Sequence, residues 1–130
     1  MNLNRAIFLD RDGVIIKAPT IDNKPKSIKK LKELEFIKGI IKFCRYFKKK
    51  KFFLIMITNQ PEVSRKKNSK KNVIQINSFI KESPDSSAFY ETMGQKKYLS
   101  TMQYVDAVLG NSSSGIIEAP SFNIGTINIG

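Results

Sequence analysis

The chain has 130 residues, of which 41% are hydrophobic and 26% charged, as is typical of one compact soluble domain. No apolar run approaches the roughly 20 residues of a membrane-spanning helix, and the polar N-terminus lacks the apolar core of a secretory signal, so we expect a cytoplasmic protein with no membrane partner. The sequence has no histidine and one cysteine, which excludes His-based catalysis and an intramolecular disulfide and argues against a zinc site.

The net charge of +12 is concentrated in the first part of the chain. Residues 1–82 hold 21 Lys and Arg against 7 Asp and Glu, whereas residues 83–130 hold 2 against 4. Clusters such as Lys48–Lys51 fall at expected helix ends and loops, where cations favour helix C-termini and solvent. Attraction of anionic sugar phosphates is an alternative interpretation. No nucleic-acid motif accompanies the charge, so we expect no nucleic-acid partner.

Apolar runs of strand length alternate with stretches of helical periodicity. The expected strands are residues 5–9, 52–57, 88–91, 107–109 and 126–129, and the expected helices are residues 40–47, 72–81 and 95–103. Pro19 to Lys30 is expected to be a loop, and Cys44 a buried thiol. The continuous apolar run Phe52–Ile57 predicts a strand covered on both faces. This alternation predicts an α/β fold with a Rossmann-like three-layer parallel sheet.

The first expected strand, Ala6–Leu9, stops abruptly at Asp10-Arg11-Asp12-Gly13. In open α/β sheets the reactive groups lie at the carboxyl ends of the strands. A carboxylate beside a divalent cation can attack phosphorus while a neighbouring carboxylate transfers the proton. The alternative is a strand-end turn with Asp as a capping residue, which explains neither Arg11 nor Gly13. The segment therefore predicts phosphoryl transfer.

Residues 5–65 resemble the haloacid dehalogenase superfamily, and specifically its D-glycero-D-manno-heptose 1,7-bisphosphate phosphatases. The segments that match are Ala6–Ile15, Phe36–Ile40 and Ile57–Arg65, and together they span about half of the chain. The resemblance implies a Mg²⁺-dependent hydrolase that acts on a heptose bisphosphate or a similar sugar phosphate, in the synthesis of surface-polysaccharide precursors.

The same resemblance assigns roles to individual residues. Asp10 would form an aspartyl-phosphate, and Asp12 would protonate the leaving oxygen and later activate water. Mg²⁺ would be held by Asp10 and by the backbone carbonyl of Asp12. Thr58 would bind phosphoryl oxygens, and Asn59 and Arg65 would lie near the substrate.

Two later elements of that superfamily are not clearly present. Lys96 or Lys97 could replace its charge-screening lysine, but Gly110 and Asn111 stand in the region where metal-binding carboxylates belong. Because Mg²⁺ depends on charged oxygen ligands, this departure predicts an incomplete metal shell and weakened binding. The Cys/His zinc cluster of many such phosphatases is also missing.

The segment from about residue 84 to residue 130 resembles the C-terminal domain of hydrolysing UDP-N-acetylglucosamine 2-epimerases. The matching segments are Gly94–Ser100, Tyr104–Gly110 and Asn111–Phe122. A Ser/Gly turn that opens a helix can present hydroxyl and N–H groups to a diphosphate, although a plain helix N-cap is the alternative.

By this resemblance, Ser113, Ser114 and Gly115 would contact the UDP phosphates, and Glu118 would bind a ribose or sugar hydroxyl. The acid and base residues of that family, and its uracil pocket, come largely from an N-terminal domain that this sequence does not contain. Epimerase chemistry is therefore not expected from this chain.

The two resemblances predict two truncated α/β units, residues 1–82 and residues 83–130, with a boundary between about residues 66 and 84. Residues 73–82 suit either unit as a surface helix. Three hypotheses follow: a Mg²⁺-dependent sugar phosphatase with impaired turnover, a module that binds UDP or a UDP-sugar without full catalysis, and an inactive fusion remnant. The sequence leaves the substrate and the oligomeric state open.

Overall fold

The computed structural model describes residues 5–58, 68–82, 88–90, 94–111 and 118–129, and the structural statements below concern these residues. Two short 3₁₀ helices, Leu31–Glu33 and Ala119–Phe122, accompany the regular elements. In chain order those elements are β1 (Arg5–Asp10), β2 (Thr20–Ile21), β3 (Lys24–Pro25), α1 (Ile40–Lys49), β4 (Phe52–Ile57), α2 (Lys70–Glu82), β5 (Ala88–Tyr90), α3 (Gly94–Met102), β6 (Ala107–Gly110) and β7 (Gly125–Asn128).

Five strands form one parallel sheet in the order β5-β4-β1-β6-β7. The central strand β1 pairs with β4 on one side and with β6 on the other. Strand β4 lies in residues 1–82, predicted as the phosphatase-like unit, and β6 lies in residues 83–130, predicted as the epimerase-like unit, so both predicted units contribute strands to the same sheet. The predicted α/β, Rossmann-like fold is confirmed.

Apolar clusters cover the two faces of this sheet. Because successive strand residues point to opposite faces, Ile7 and Leu9 of β1 belong to one cluster and Ala6 and Phe8 to the other. Helices α1 and α2 pack on the first face, and Met102 of α3 packs on the second. The three-layer arrangement therefore follows from the side-chain alternation of the central strand.

Helix α1 shows the expected distribution of polar and apolar groups. The thiol of Cys44 is buried, as predicted, with 8% of the residue exposed. Lys49, Lys50 and Lys51 are exposed at the end of the helix, where they face solvent. None of the helices in the described part of the chain combines the length and apolar character that a membrane span needs.

Strand β4, predicted to be covered on both faces, is incompletely covered on one of them. Leu54 and Met56 are buried, whereas Phe53 is 50% exposed. The cluster that includes Met102 packs against Ile55 and Ile57, nearer the carboxyl end of the strand. Among the described residues, the cluster on this face therefore covers the later part of β4 and not Phe53 at its start.

The stretch from Pro19 to Lys30, expected to be a loop, contains the small antiparallel hairpin of β2 and β3. Asp22 and Asn23 connect the two strands with φ values of 52° and 57°. Two residues with positive φ are what a type I′ hairpin turn requires, and Asp and Asn tolerate this conformation better than most residues. The local sequence therefore favours a hairpin that a compositional prediction overlooks.

Candidate active site at the carboxyl edge of the sheet

Three neighbouring strands end at the same edge of the sheet. Asp10 is the last residue of β1, Thr58 directly follows β4, and Gly110 is the last residue of β6. Asp10 pairs in register with Ile57, and Leu9 pairs with Leu109. The predicted site residues Asp10, Asp12 and Thr58 therefore lie at one edge, and Thr58 is 5% exposed.

The end of β6 positions the carboxylate of Asp10. The backbone N–H of Asn111 donates a hydrogen bond to Asp10 Oδ2 at 3.2 Å. A Cβ atom at Gly110 would lie 2.7 Å from the same oxygen, closer than such contacts normally allow. Any residue other than glycine at this position would displace the carboxylate. The orientation of Asp10 thus depends on two residues from the epimerase-like segment.

The side chain of Asn111 also packs against the acidic loop. A Cβ atom at Gly13 would lie 2.1 Å from Asn111 Nδ2, and Gly13 has a φ of +83°. Glycine is therefore needed here both for the backbone conformation and for the space that the amide occupies. Asn111 links the end of β6 to the loop that contains Asp12.

The carboxylate of Asp12 pairs with the guanidinium of Arg11. Arg11 Nε and Nη2 donate to Asp12 Oδ2 at 3.2 and 3.0 Å, and Nη2 also donates to Oδ1 at 3.1 Å. The Arg11 side chain is 0% exposed and the Asp12 side chain 22%. The Ser27 hydroxyl donates to Asp12 Oδ2 at 3.4 Å, and Arg11 Nη1 donates to Asn77 Oδ1 at 2.8 Å. Asp12 is therefore oriented by a buried cation.

Tyr98 lies in the layer that covers the second face of the sheet. Its ring stacks on Phe8, with the centroids 5.9 Å apart and the planes at 22°. Burial, together with the negative charges of Asp10 and Glu118, raises the pKa of Tyr98 to about 12. The phenol therefore stays protonated at neutral pH. Asp10 of the phosphatase-like candidate site and Glu118 of the epimerase-like candidate site therefore both act on the same phenol.

The remaining predicted residues are distributed differently. Asn59, Arg65, Ser113, Ser114 and Gly115 lie outside the described residues. Lys96 and Lys97 are exposed on α3. Glu118 Oε2 is buried and has no hydrogen-bond partner within the described ranges.

Sequence reasoning assigned no role to Arg11, Ser27 or Asn77. A signal was available for two of them. Arg11 stands between two carboxylates just after an apolar strand, and Asn77 interrupts the apolar face that Val73, Ile76 and Ile80 form on α2. A polar residue inside an apolar helical stripe indicates a buried partner, which here is Arg11.

The donor set at this edge is composed of oxygen ligands suited to Mg²⁺. The carboxylate of Asp10, the backbone carbonyl of Asp12 and the amide oxygen of Asn111 are the hard ligands that this ion prefers, and Mg²⁺ commonly needs only one or two carboxylates besides phosphate and water. Within the described part of the chain, no group of three or more His, Cys, Asp or Glu residues is arranged to hold a metal. The residues fit Mg²⁺ in ligand type but provide little negative charge.

A family model described as UDP-N-acetylglucosamine 2-epimerase matches residues 26–130, most of the chain. The chain belongs to this family. It is 35% identical over 78 residues to the GDP/UDP-N,N'-diacetylbacillosamine 2-epimerase (hydrolyzing) of Campylobacter jejuni, a match that covers 57% of this chain and 20% of that protein. The resemblance of the second segment to these epimerases is confirmed.

The chain is also similar to heptose bisphosphate phosphatases. It is 43% identical over 61 residues to the D-glycero-alpha-D-manno-heptose-1,7-bisphosphate 7-phosphatase of Campylobacter jejuni, and this match covers 47% of the chain and 32% of that protein. The chain therefore spans about a third or less of the length of both these curated relatives.

A solved structure shares the fold. The D,D-heptose 1.7-bisphosphate phosphatase from B. bronchiseptica, complexed with magnesium and phosphate, has a TM-score of 0.68 at 16% sequence identity, with coverage of 94% of this chain and 78% of that one. At this identity the likeness shows a common fold. Together with the curated relatives, it confirms the resemblance of the first segment.

We expect Gly13→Ala to destabilise the protein more than Gly39→Ala. Both glycines have positive φ values, +83° and +91°, so each substitution costs about 1–2 kcal/mol of backbone strain. A Cβ atom at Gly39 meets nothing within 4 Å, whereas one at Gly13 meets the Asn111 amide. Gly13→Ala should therefore lower the free energy of unfolding in urea more than Gly39→Ala does. This difference should become smaller when Gly13→Ala is made in an Asn111→Ala background. Equal losses for the two glycine variants would contradict this packing.

Proposed function

We propose that this chain is a Mg²⁺-dependent sugar-phosphate phosphatase of the haloacid dehalogenase type, acting on a heptose bisphosphate or a similar sugar phosphate. The observation that supports it most strongly is the carboxylate of Asp10, held at the carboxyl edge by the Asn111 N–H at 3.2 Å. Asp12 follows two residues later, and Thr58 directly follows the neighbouring strand β4. The likeness to heptose bisphosphate phosphatases in sequence and in fold agrees with this proposal.

In the first half of the proposed reaction, Asp10 attacks the phosphorus. A bond forms between the carboxylate and phosphorus, and the bond from phosphorus to the sugar oxygen breaks. Asp12 gives its proton to that departing oxygen. The hydroxyl of Thr58 donates a hydrogen bond to a phosphoryl oxygen. When bound, Mg²⁺ would neutralise phosphate charge, so that one anion can approach another.

In the second half, water replaces Asp10 on the phosphorus. Asp12, now a carboxylate, removes a proton from the water, the bond from phosphorus to the new oxygen forms, and the bond to Asp10 breaks. The Arg11 guanidinium keeps the Asp12 side chain oriented through both halves. Inorganic phosphate leaves, and Asp12 has recovered its proton.

We expect Asp10→Asn and Asp12→Asn to lower the Mg²⁺-dependent hydrolysis of heptose 1,7-bisphosphate by about 10² or more, because one removes the nucleophile and the other the acid and base. The measurement is phosphate release at saturating Mg²⁺. Asp22→Asn is the matched control, since Asp22 lies in the exposed turn between β2 and β3. Hydrolysis by Asp10→Asn at the rate of the unaltered protein would remove the proposal.

We expect Asn111→Asp to lower the Mg²⁺ concentration needed for half-maximal hydrolysis by about tenfold, which corresponds to about 1.4 kcal/mol of binding free energy. The change adds a carboxylate at the residue whose backbone N–H contacts Asp10, and hard cations bind charged oxygens more tightly than neutral ones. Asn123→Asp adds the same charge at an exposed position with a φ of 57°, where Asp is tolerated. An unchanged Mg²⁺ dependence in Asn111→Asp would exclude this residue from the metal site.

A second candidate function is binding of UDP or a UDP-sugar without epimerisation. The Oε2 atom of Glu118, buried and without a partner in the described part of the chain, is an acceptor that a ribose hydroxyl would satisfy. The family match over residues 26–130 favours the same ligand. Ser113, Ser114 and Gly115 would supply the phosphate contacts.

We expect calorimetric titration to detect UDP binding in the millimolar range and Glu118→Ala to weaken it about tenfold, because the variant loses one hydrogen bond to a charged group. Asp22→Asn should bind UDP as the unaltered protein does. Absence of both a heat change and a thermal shift at millimolar UDP would count against this function. Absence of both turnover and binding would leave the inactive remnant.

A further inference from the structure

We propose that Asn77 is a positioning residue. Its amide oxygen orients the guanidinium of Arg11 toward Asp12, and because the amide is neutral, Asp12 remains the anion that pairs with Arg11. This inference rests on the proposed phosphatase function, in which Asp12 is the acid and the base. Asn77 lies on α2, outside the motifs that carry the two resemblances. Its effect would be exerted through Arg11 rather than by contact with the substrate.

Hydrogen bonds link Asn77, Arg11 and Asp12 into a network, and Asn77 is its buried end. The residue is 1% exposed and lies on the apolar face of α2 beside Ile76 and Ile80. Its Oδ1 accepts a hydrogen bond from Arg11 Nη1 at 2.8 Å. A buried amide is costly unless it is hydrogen-bonded. The hydrogen bond from Arg11 therefore accounts for a polar residue at this buried position.

The open end of the network is Asp12. Arg11, with 0% of its side chain exposed, forms an ion pair with Asp12 at 3.0 Å, and Asp12 retains 22% exposure at the edge of the sheet. Arg11 donates to both oxygens of Asp12. A carboxylate held at both oxygens by a planar guanidinium has a defined orientation, which is what proton transfer to a leaving group requires.

Residue 77 is a neutral amide rather than a carboxylate, and this difference affects how Arg11 pairs with Asp12. An aspartate would accept the same hydrogen bond and would lack the Nδ2 donor, which is buried with no partner in the described ranges, but it would bury a second carboxylate at the cost of its desolvation. That second carboxylate would also compete with Asp12 for the buried charge of Arg11. The neutral amide orients the guanidinium without sharing its charge.

The test compares Asn77→Asp with Asn77→Leu. In Asn77→Asp the acceptor remains, but a second buried carboxylate shares the charge of Arg11. We therefore expect about a tenfold fall in kcat and less than a twofold change in KM, measured at a temperature where the variant is fully folded. In Asn77→Leu both the melting temperature and kcat should fall. If Asn77 had only a structural role, kcat would fall only in proportion to the loss of melting temperature in each variant. Gln75→Glu, at an exposed position of the same helix, is the charge control and should leave both unchanged.

A second measurement does not depend on turnover. The Nε–H of Arg11 donates to Asp12 Oδ2 at 3.2 Å, so its exchange with solvent should be slow. We expect exchange measured by NMR to be at least tenfold faster in both Asn77 variants. The resonance is identified by its loss in Arg11→Lys.

The outcomes separate the two proposals. If the unaltered protein hydrolyses no phosphate ester but exchange is faster in the Asn77 variants, the phosphatase proposal fails and the positioning of Arg11 stands. If the unaltered protein is active and Asn77→Asp keeps kcat within twofold, the inference is overturned. Unchanged exchange at Arg11 Nε–H in both variants would overturn it as well.

Discussion

The hydrogen bond from the Asn111 N–H to Asp10 Oδ2 joins the two segments of this chain at the candidate site. It requires β6 to lie beside β1, in the register that pairs Leu9 with Leu109, and it requires a glycine at position 110 to admit the carboxylate. The same strand end sends the Asn111 side chain against Gly13. A strand from the epimerase-like segment therefore positions the proposed nucleophile Asp10, because a parallel sheet aligns the carboxyl ends of its strands regardless of their sequence origin.

The two faces of the sheet differ in charge near its carboxyl edge. On the face covered by α2, the cation of Arg11 is buried and compensated by Asp12, since a buried charge needs a partner. On the face covered by α3, Tyr98 lies in the field of Asp10 and Glu118 and keeps its proton. The exposed lysines of α3 provide no buried cation there. Under the proposed function, Mg²⁺ would supply positive charge on this face, where the described residues place no buried cation.

The regular elements could be predicted because each has a local cause. A continuous apolar run such as Ala6 to Leu9 indicates a strand buried on both faces, and the periodic apolar face of α2 indicates a packed helix. Asp10 and Asp12 could be identified because they follow a strand end. The hydrogen bond of Asp10 to Asn111 joins residues 101 positions apart, and no local pattern indicates it. The exposure of Phe53 is also a tertiary feature, since the apolar cluster on its face packs against Ile55 and Ile57 instead.

The amino-acid sequence by itself determined the alternation of elements, the two family resemblances and the acidic pair at the end of β1, since these depend on neighbouring residues and recognisable motifs. Only the tertiary structure decided that strands from both segments share one sheet, that Asn111 contacts both Asp10 and the Gly13 loop, and that Asn77 holds Arg11 against Asp12. The reason is physical: hydrogen bonds and buried charges are satisfied by partners close in space, and folding alone brings residues as distant as Arg11 and Asn77 together.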